Sequence, residues 1–175
     1  MRYEAAGWGV GEVATAAGRL LYHELPSVRS VESTPNGPQG IPEIPVYSVA
    51  GKDSRPGNGF APEVARRLAS YFAGHVEAFD HLELDLTGYT PFQRALTKAL
   101  RAVPRGEVVT YGELAALAGR PNAPRAAGTF CAHSRFGIVV PCHRVVSAGG
   151  LGSYGWLGRE YKRRLLALEG ADVPL

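Results

Sequence analysis

Near-alternate apolar positions in "GWGVGEVATAAGRLLYHELP", residues 7–26, predict two short antiparallel strands around a turn at Ala16, Ala17 and Gly18. Residues 26–62 then hold 7 of the 13 prolines, which excludes a helix and leaves extended chain or loop. Within that stretch "IPVYSV", 44–49, predicts a third strand, confined to a sheet edge by its prolines. Pro62 suits the first turn of a helix running to about Ala73, with Val64, Leu68, Tyr71 and Phe72 on one face and Gly74 as its stop. "HVEAFDHLELDLTG" bridges to the second half.

From Thr90 the period changes to that of helices. "TPFQRALTKALRAV" has Thr90 as N-cap, Pro91 at the first helical position and Gln93 at the capping-box position, with Phe92, Leu96, Leu100 and Val103 on one face. Pro104 and Gly106 end it. "TYGELAALAG" repeats the device with Thr110 and Glu113 and stops at Gly119. After "GRPN", a second short helix, "APRAAGTFCAHS", starts near Pro124. The pair forms a helix-turn-helix pattern, which also occurs in ordinary bundles. Ala126, Ala127 and Gly128 remove bulk from one helix face, and Arg125 beside them can reach outward. "FGIVV" predicts a buried strand ended by Pro141, and "RLLALE" a last helix.

The pattern therefore predicts an α+β chain of two domains: residues 1–87, a small sheet with one helix, and 88–175, mostly helical. Of 175 residues, 45% are hydrophobic and 20% charged, which suits a soluble globular protein. No apolar run reaches the roughly 18 residues needed to span a bilayer. "MRYEAAGWGVGE" lacks the apolar core of a secretory signal. A cytoplasmic location follows, or a nuclear one in a eukaryote, with no membrane partner. Residues 1–87 carry 7 Lys+Arg against 11 Asp+Glu and residues 88–175 carry 12 against 5, so the halves are −4 and +7. A basic C-terminal half points to an anionic partner such as nucleic acid, or is simply a solvated face. The 16 Arg against 3 Lys extend into the acidic half, so that bias reflects composition.

Cys131 and Cys142 are the chain's two cysteines, too few for a disulfide framework, and free thiols in a reducing compartment. In "IVVPCHRVVS", Cys142 sits between Pro141 and His143, with Arg144 next, and a base or cation near a thiol favours its nucleophilic form. Neighbours in a chain often point apart, so His143 would act on Cys142 through a water and would need an orienting carboxylate. The acids of the second half are Glu107, Glu113, Glu160, Glu169 and Asp172; Glu113 serves a cap, and Glu169 ends an apolar helix and can point inward. Blander readings make Cys142 or Cys131 a packed small hydrophobe and His143 a structural hydrogen bonder. Zinc held by Cys131, His133, Cys142 and His143 has suitable ligand types, but the spacing fits no usual site. His23, His75 and His81 stand alone.

"VPCHRVV" behind a helix-turn-helix, together with "TPFQRALTKALRAVPRGEVVTYGELAALAG", "RAAG", "GSYGW" and "LLALEG" in order, resembles the O6-alkylguanine-DNA alkyltransferases, strongly over about 88–170 and weakly before. The resemblance implies an RNase H-like N-terminal domain with a three-stranded antiparallel sheet. It implies stoichiometric transfer of an alkyl group from O6-alkylguanine in DNA to Cys142 after nucleotide flipping, with no cofactor and no metal. His143 would be the base through water, Glu169 would orient it, and Tyr111 would rotate the nucleotide and donate a proton. Arg125, Ala126, Ala127 and Gly128 would meet the minor groove of double-stranded DNA, with Arg125 filling the place of the flipped base. Val145, Tyr154, Gly155 and Ser134 would line or close the base pocket of a monomer. Three departures stand out. Ser134-Arg135 replaces the family's usual Asn-Pro, the Cys-to-Tyr loop is about one residue short, and Gly155-Trp156 stands where many members have small polar or glycine residues. The zinc-binding cysteines that some members carry near the N-terminus are missing. A lesion-binding protein without transfer activity and a cysteine hydrolase remain the competing readings.

Overall fold

The computed structural model describes residues 1–27 and 59–171. The chain divides into two compact units, Met1–Glu77 and Ala78–Leu175.

In the first unit, β1 (Arg2–Ala5), β2 (Gly9–Ala16) and β3 (Arg19–Ser27) form an antiparallel sheet in chain order. The β2–β3 hairpin turns through Ala17 and Gly18 at φ 48° and 74°, the left-handed region that tight hairpins require. The sheet's first strand comes from "RYEA", upstream of the alternation; four residues are too few to display a period. The strand expected at 44–49 lies outside the described residues. One sheet face buries Tyr3, Ala5, Val13, Leu20 and His23 against α1 (Phe60–Phe72), which contributes Val64, Ala65, Leu68, Tyr71 and Phe72. His23 does not stand alone: its Nε2 is 2.6 Å from the Tyr3 hydroxyl. Gly11 lies opposite Tyr3, where an added Cβ would come 2.5 Å from the ring, so glycine there lets the ring cross the strand.

In the second unit, α2 (Pro91–Arg101) and α3 (Tyr111–Leu117) both start with complete capping boxes. Thr90 Oγ1 accepts from Gln93 N at 3.2 Å while Gln93 Oε1 accepts from Thr90 N at 2.8 Å, and Thr110 and Glu113 repeat the exchange at 3.2 and 2.7 Å. Gly119 at φ 82° ends the turn after α3, and α4 (Pro124–Ala132) packs back on it, completing the helix-turn-helix. Leu96, Leu100, Leu114, Ala115, Ala127, Phe130, Leu165 and Leu166 form the core, the last two from α5 (Gly158–Glu169). The Arg101 guanidinium donates to the carbonyls of Phe79, Asp80 and Leu82, pinning the incoming segment to α2.

"FGIVV" is not a strand. Phe136, Ile138, Val139 and Val140 are buried as expected, but the chain turns, with Val140 N donating to Phe136 O at 2.7 Å and Ile138 at φ 64°. A continuous apolar run reports burial on all sides, which a packed turn satisfies as well as a strand does. The mixed α+β class expected from the sequence is the one observed.

Candidate active site

Two residues of parallel sheet set the site. β4 (Val109–Thr110) pairs with β5 (Val145–Val146) in the register Val109↔Val145 and Thr110↔Val146. Tyr111 follows β4 immediately and opens α3, while the 3₁₀ turn Cys142–Arg144 runs straight into β5. The ladder thus ties the phenol's helix to the thiol's turn. Cys142 is 7% exposed and His143 fully buried.

Glu169 is the last residue of α5, stopped by Gly170 at φ 76°. Its carboxylate sits 3.0 Å from His143 Nε2 and receives a two-pronged bond from Arg144, Nε at 2.9 Å and Nη2 at 2.8 Å. Arg144 is anchored in turn by donation to Val103 O at 2.5 Å. Burial alone would raise the Glu169 carboxyl, but hydrogen bonds from His143 and Arg144, with their charges, hold it well below its usual value. Burial lowers His143 despite Glu169's pull the other way, so the imidazole is neutral near pH 7. With Nε2–H directed at the carboxylate, Nδ1 is the basic atom. Glu169 thus fixes the His143 ring with Nδ1 left able to accept a proton, and the same carboxylate holds Arg144, a contact the sequence reading did not assign.

The thiol of Cys142 is pulled below its usual range, chiefly by the Cys131 thiol, with smaller pulls from Ser134 and the charge of Lys162, against the opposing effect of burial. Ser134, which replaces the usual Asn, has its Oγ buried without a hydrogen-bond partner among the described residues. Next to it, the Arg135 guanidinium lies over the rings of Tyr89 and Phe136 at 5.2 and 5.4 Å and donates to Asp85 O. Cys131 is half-buried.

Burial, and then the two thiols, raise the Tyr111 phenol, which keeps its proton. A Cβ on Gly152 would lie 3.6 Å from the Tyr111 hydroxyl and 3.7 Å from Lys162 Nζ, so these groups share one small space under the loop. Lys162 is fully buried, donates to Val145 O at 2.5 Å, and is pushed down to about 8 by burial. Sequence reasoning missed Lys162 because its helix reads as a charged surface stripe, "REYKRR". Its spacing from Leu165, Leu166 and Glu169 was the available signal: all four fall on the buried face.

On α4, Arg125 and Ala126 are exposed. Ala127 is fully buried, so it is not available to meet DNA as the resemblance implied. Gly128 is half-buried, and a Cβ there would meet the Tyr111 ring at 3.8 Å. Val145 is fully buried, and Tyr154 stacks on Tyr161 with centroids 6.2 Å apart. Gly155 and Trp156 are exposed, with Gly155 at φ 44°.

Residues 91–171 match the family model described as "6-O-methylguanine DNA methyltransferase, DNA binding domain". The methylated-DNA–protein-cysteine methyltransferase of Mycolicibacterium paratuberculosis is 48% identical over 109 residues, 62% of this chain and 64% of that protein, so the match spans less than two thirds of its length. The one from Methanopyrus kandleri is 40% identical over 126 residues, 71% of this chain and 93% of that protein. Among solved structures, Mycobacterium tuberculosis OGT in complex with DNA superposes with a TM-score of 0.68 at 33% identity, over 97% of this chain and 91% of that one.

Proposed function

Since the chain belongs to the O6-methylguanine DNA methyltransferase family, we propose that it repairs DNA by moving the alkyl group of O6-alkylguanine onto Cys142, once per molecule. The observation that carries this reading is a buried thiol, held toward its thiolate form, beside a neutral histidine that a carboxylate orients. His143 Nδ1 takes the thiol proton through a water, and Glu169 steadies the imidazole as charge develops. The Cys142 sulfur attacks the alkyl carbon, an S–C bond forms, and the C–O6 bond breaks with its electrons going to guanine. Tyr111, kept protonated by burial and by the thiols, donates the proton that guanine then needs. No group here can hydrolyse the thioether, so the protein is consumed.

The partner in this reading is double-stranded DNA entered from the minor groove. Exposed Arg125 at the start of α4 occupies the gap left by a flipped nucleotide, and Ala126 beside it admits the backbone. Val145, Tyr154 and the Gly152–Gly155 loop receive the base, Ser134 bears on the thiol, and the protein acts as a monomer in the cytoplasm. A duplex carrying O6-methylguanine, mixed with sub-stoichiometric protein, tests this. Conversion to guanine should plateau at one lesion per protein, whereas conversion continuing past that ratio would replace suicide transfer with a turnover enzyme.

A further inference from the structure

A cavity of about 150 Å³ opens on the second unit, lined by Tyr89, Gln93, Thr129, Phe130, His133 and Arg135. The mechanism above gives none of them a step in the chemistry. The space equals that of about five water molecules, well below the roughly 300 Å³ of a pocket for a drug-sized ligand, so it suits a small polar group. Its lining presents donors. Gln93 Oε1 accepts from Thr90 N at 2.8 Å, which fixes the amide and leaves its NH2 group to the cavity. His133 Nδ1 donates to Thr129 O at 2.8 Å, so Nε2 is the ring nitrogen left to meet a ligand. Arg135 Nη2 donates to Asp85 O at 3.1 Å while the guanidinium lies over the Tyr89 and Phe136 rings, so the fork is held in place with N–H groups to spare. Tyr89, set edge-on against Phe130, adds a phenol. Among the described residues that line the cavity none is acidic, and the nearby Asp85 carboxylate accepts from Thr87 N within its own turn. A guanidinium, an amide NH2 and a hydroxyl with no opposing acid form the donor set that recognises a phosphate.

We propose that this cavity seats a backbone phosphate of the DNA duplex, beside the groove that Arg125 enters; the proposal rests on the repair reading above. The helix supplies the geometry. Thr129 and His133 follow Arg125 by four and eight residues, so the three lie near one face of α4 and its cap, about 6 and 12 Å along the axis, and all three are exposed. A helix is about 10–12 Å across with its side chains, whereas the minor groove is about 6 Å wide, so α4 enters only in part. The far end of the stripe then meets the sugar-phosphate wall and not a base edge. Charge favours the same partner, since residues 88–175 carry 12 Lys+Arg against 5 Asp+Glu. Arg135 stands where the family usually has Pro, so the seat belongs to this chain's departure from the common pattern. A phosphate contact fixes position without reading sequence, which suits repair of a lesion in any sequence.

Fluorescence anisotropy of full-length protein on a lesion-free duplex, over about 50–200 mM salt, tests the seat. Gln93→Glu keeps the capping box, as Glu113 does at Thr110, and replaces the NH2 donor with a carboxylate oxygen. Arg135→Met removes the fork and keeps an apolar stem beside Tyr89. Duplex affinity should fall by about tenfold in Gln93→Glu, where like charges meet. Arg135→Met should reduce the slope of log Kd against log salt by about 0.9, the value of one phosphate contact. Alkyl transfer from free O6-alkylguanine, which carries no phosphate, should keep its natural rate in both variants. Unchanged affinity and slope in both, with transfer and duplex binding intact in the natural protein, would overturn the seat and leave the repair reading standing. A natural protein that neither binds duplex nor accepts an alkyl group would sink the repair reading and the seat with it. Inorganic phosphate binding, measured by calorimetry and lost in both variants while duplex affinity holds, would give the cavity to a free anion instead. Loss of free-base transfer in both variants would assign these residues to folding, which also contradicts the proposal.

Discussion

Replacing Glu169 by Gln keeps the shape of the side chain and removes its charge. The carboxylate has no solvent exposure, and its partner Arg144 retains only 12%. Taking away one member of a buried pair costs about 3–5 kcal/mol, since the other charge stays desolvated. Arg144 keeps its bond to Val103 O, which places the expected loss near the low end, about 3 kcal/mol. For a chain of this size that lowers Tm by roughly 6–12 °C. The pH dependence follows with a fixed sign. The Glu169 carboxyl is held below its ordinary 4.5 in the folded protein, so its contribution is complete above 4.5 and is lost as pH falls toward the folded value. By pH 3 about 2 kcal/mol of it is gone, so the gap between natural protein and variant should narrow from about 3 to about 1 kcal/mol between pH 7 and pH 3. Urea unfolding followed by far-ultraviolet circular dichroism measures both gaps. A difference below 1 kcal/mol at pH 7, or one indifferent to pH, would refute the claim that this carboxylate is a buried anchor.

Tyr111→Phe should slow transfer by about 100-fold with duplex affinity kept, as expected for loss of a general acid; single-turnover rates and gel shifts read the two separately, and an unchanged rate removes the phenol from the chemistry. Arg125→Ala should reduce transfer from duplex DNA by about tenfold or more while sparing reaction with free O6-alkylguanine, and equal loss on both would assign the residue to folding or to the pocket. Lys162→Met removes a buried cation whose charge lowers the Cys142 thiol, so the pH midpoint for alkylation of that thiol by iodoacetamide should rise by about one unit. A midpoint that stays in place would show that the buried ammonium serves packing alone.

The features read correctly from sequence are those whose signals are local. Both capping boxes, at Thr90 and Thr110, involve residues three apart, and the helix-turn-helix follows from them and from Gly119. The meeting of His143 with Glu169 was legible because motif order carries that information even though the two lie 26 positions apart. What failed were inferences needing the third dimension. The apolar run before Pro141 signalled burial without saying that the chain turns there, and Ala127 looked like a surface clearance although it is fully buried. Lys162 turns inward from α5 to donate to Val145 O, and no spacing along the chain states that a lysine in a charged stripe ends up buried there.

The most direct test of the central claim is the intact mass of the protein after incubation with a duplex containing O6-methylguanine, with Cys142→Ser alongside. The account predicts a gain of one methyl group in the natural protein, mapped to the peptide containing Cys142, and none in the variant. An unchanged mass with the duplex still bound would contradict it and leave a protein that recognises the lesion with an inert thiol.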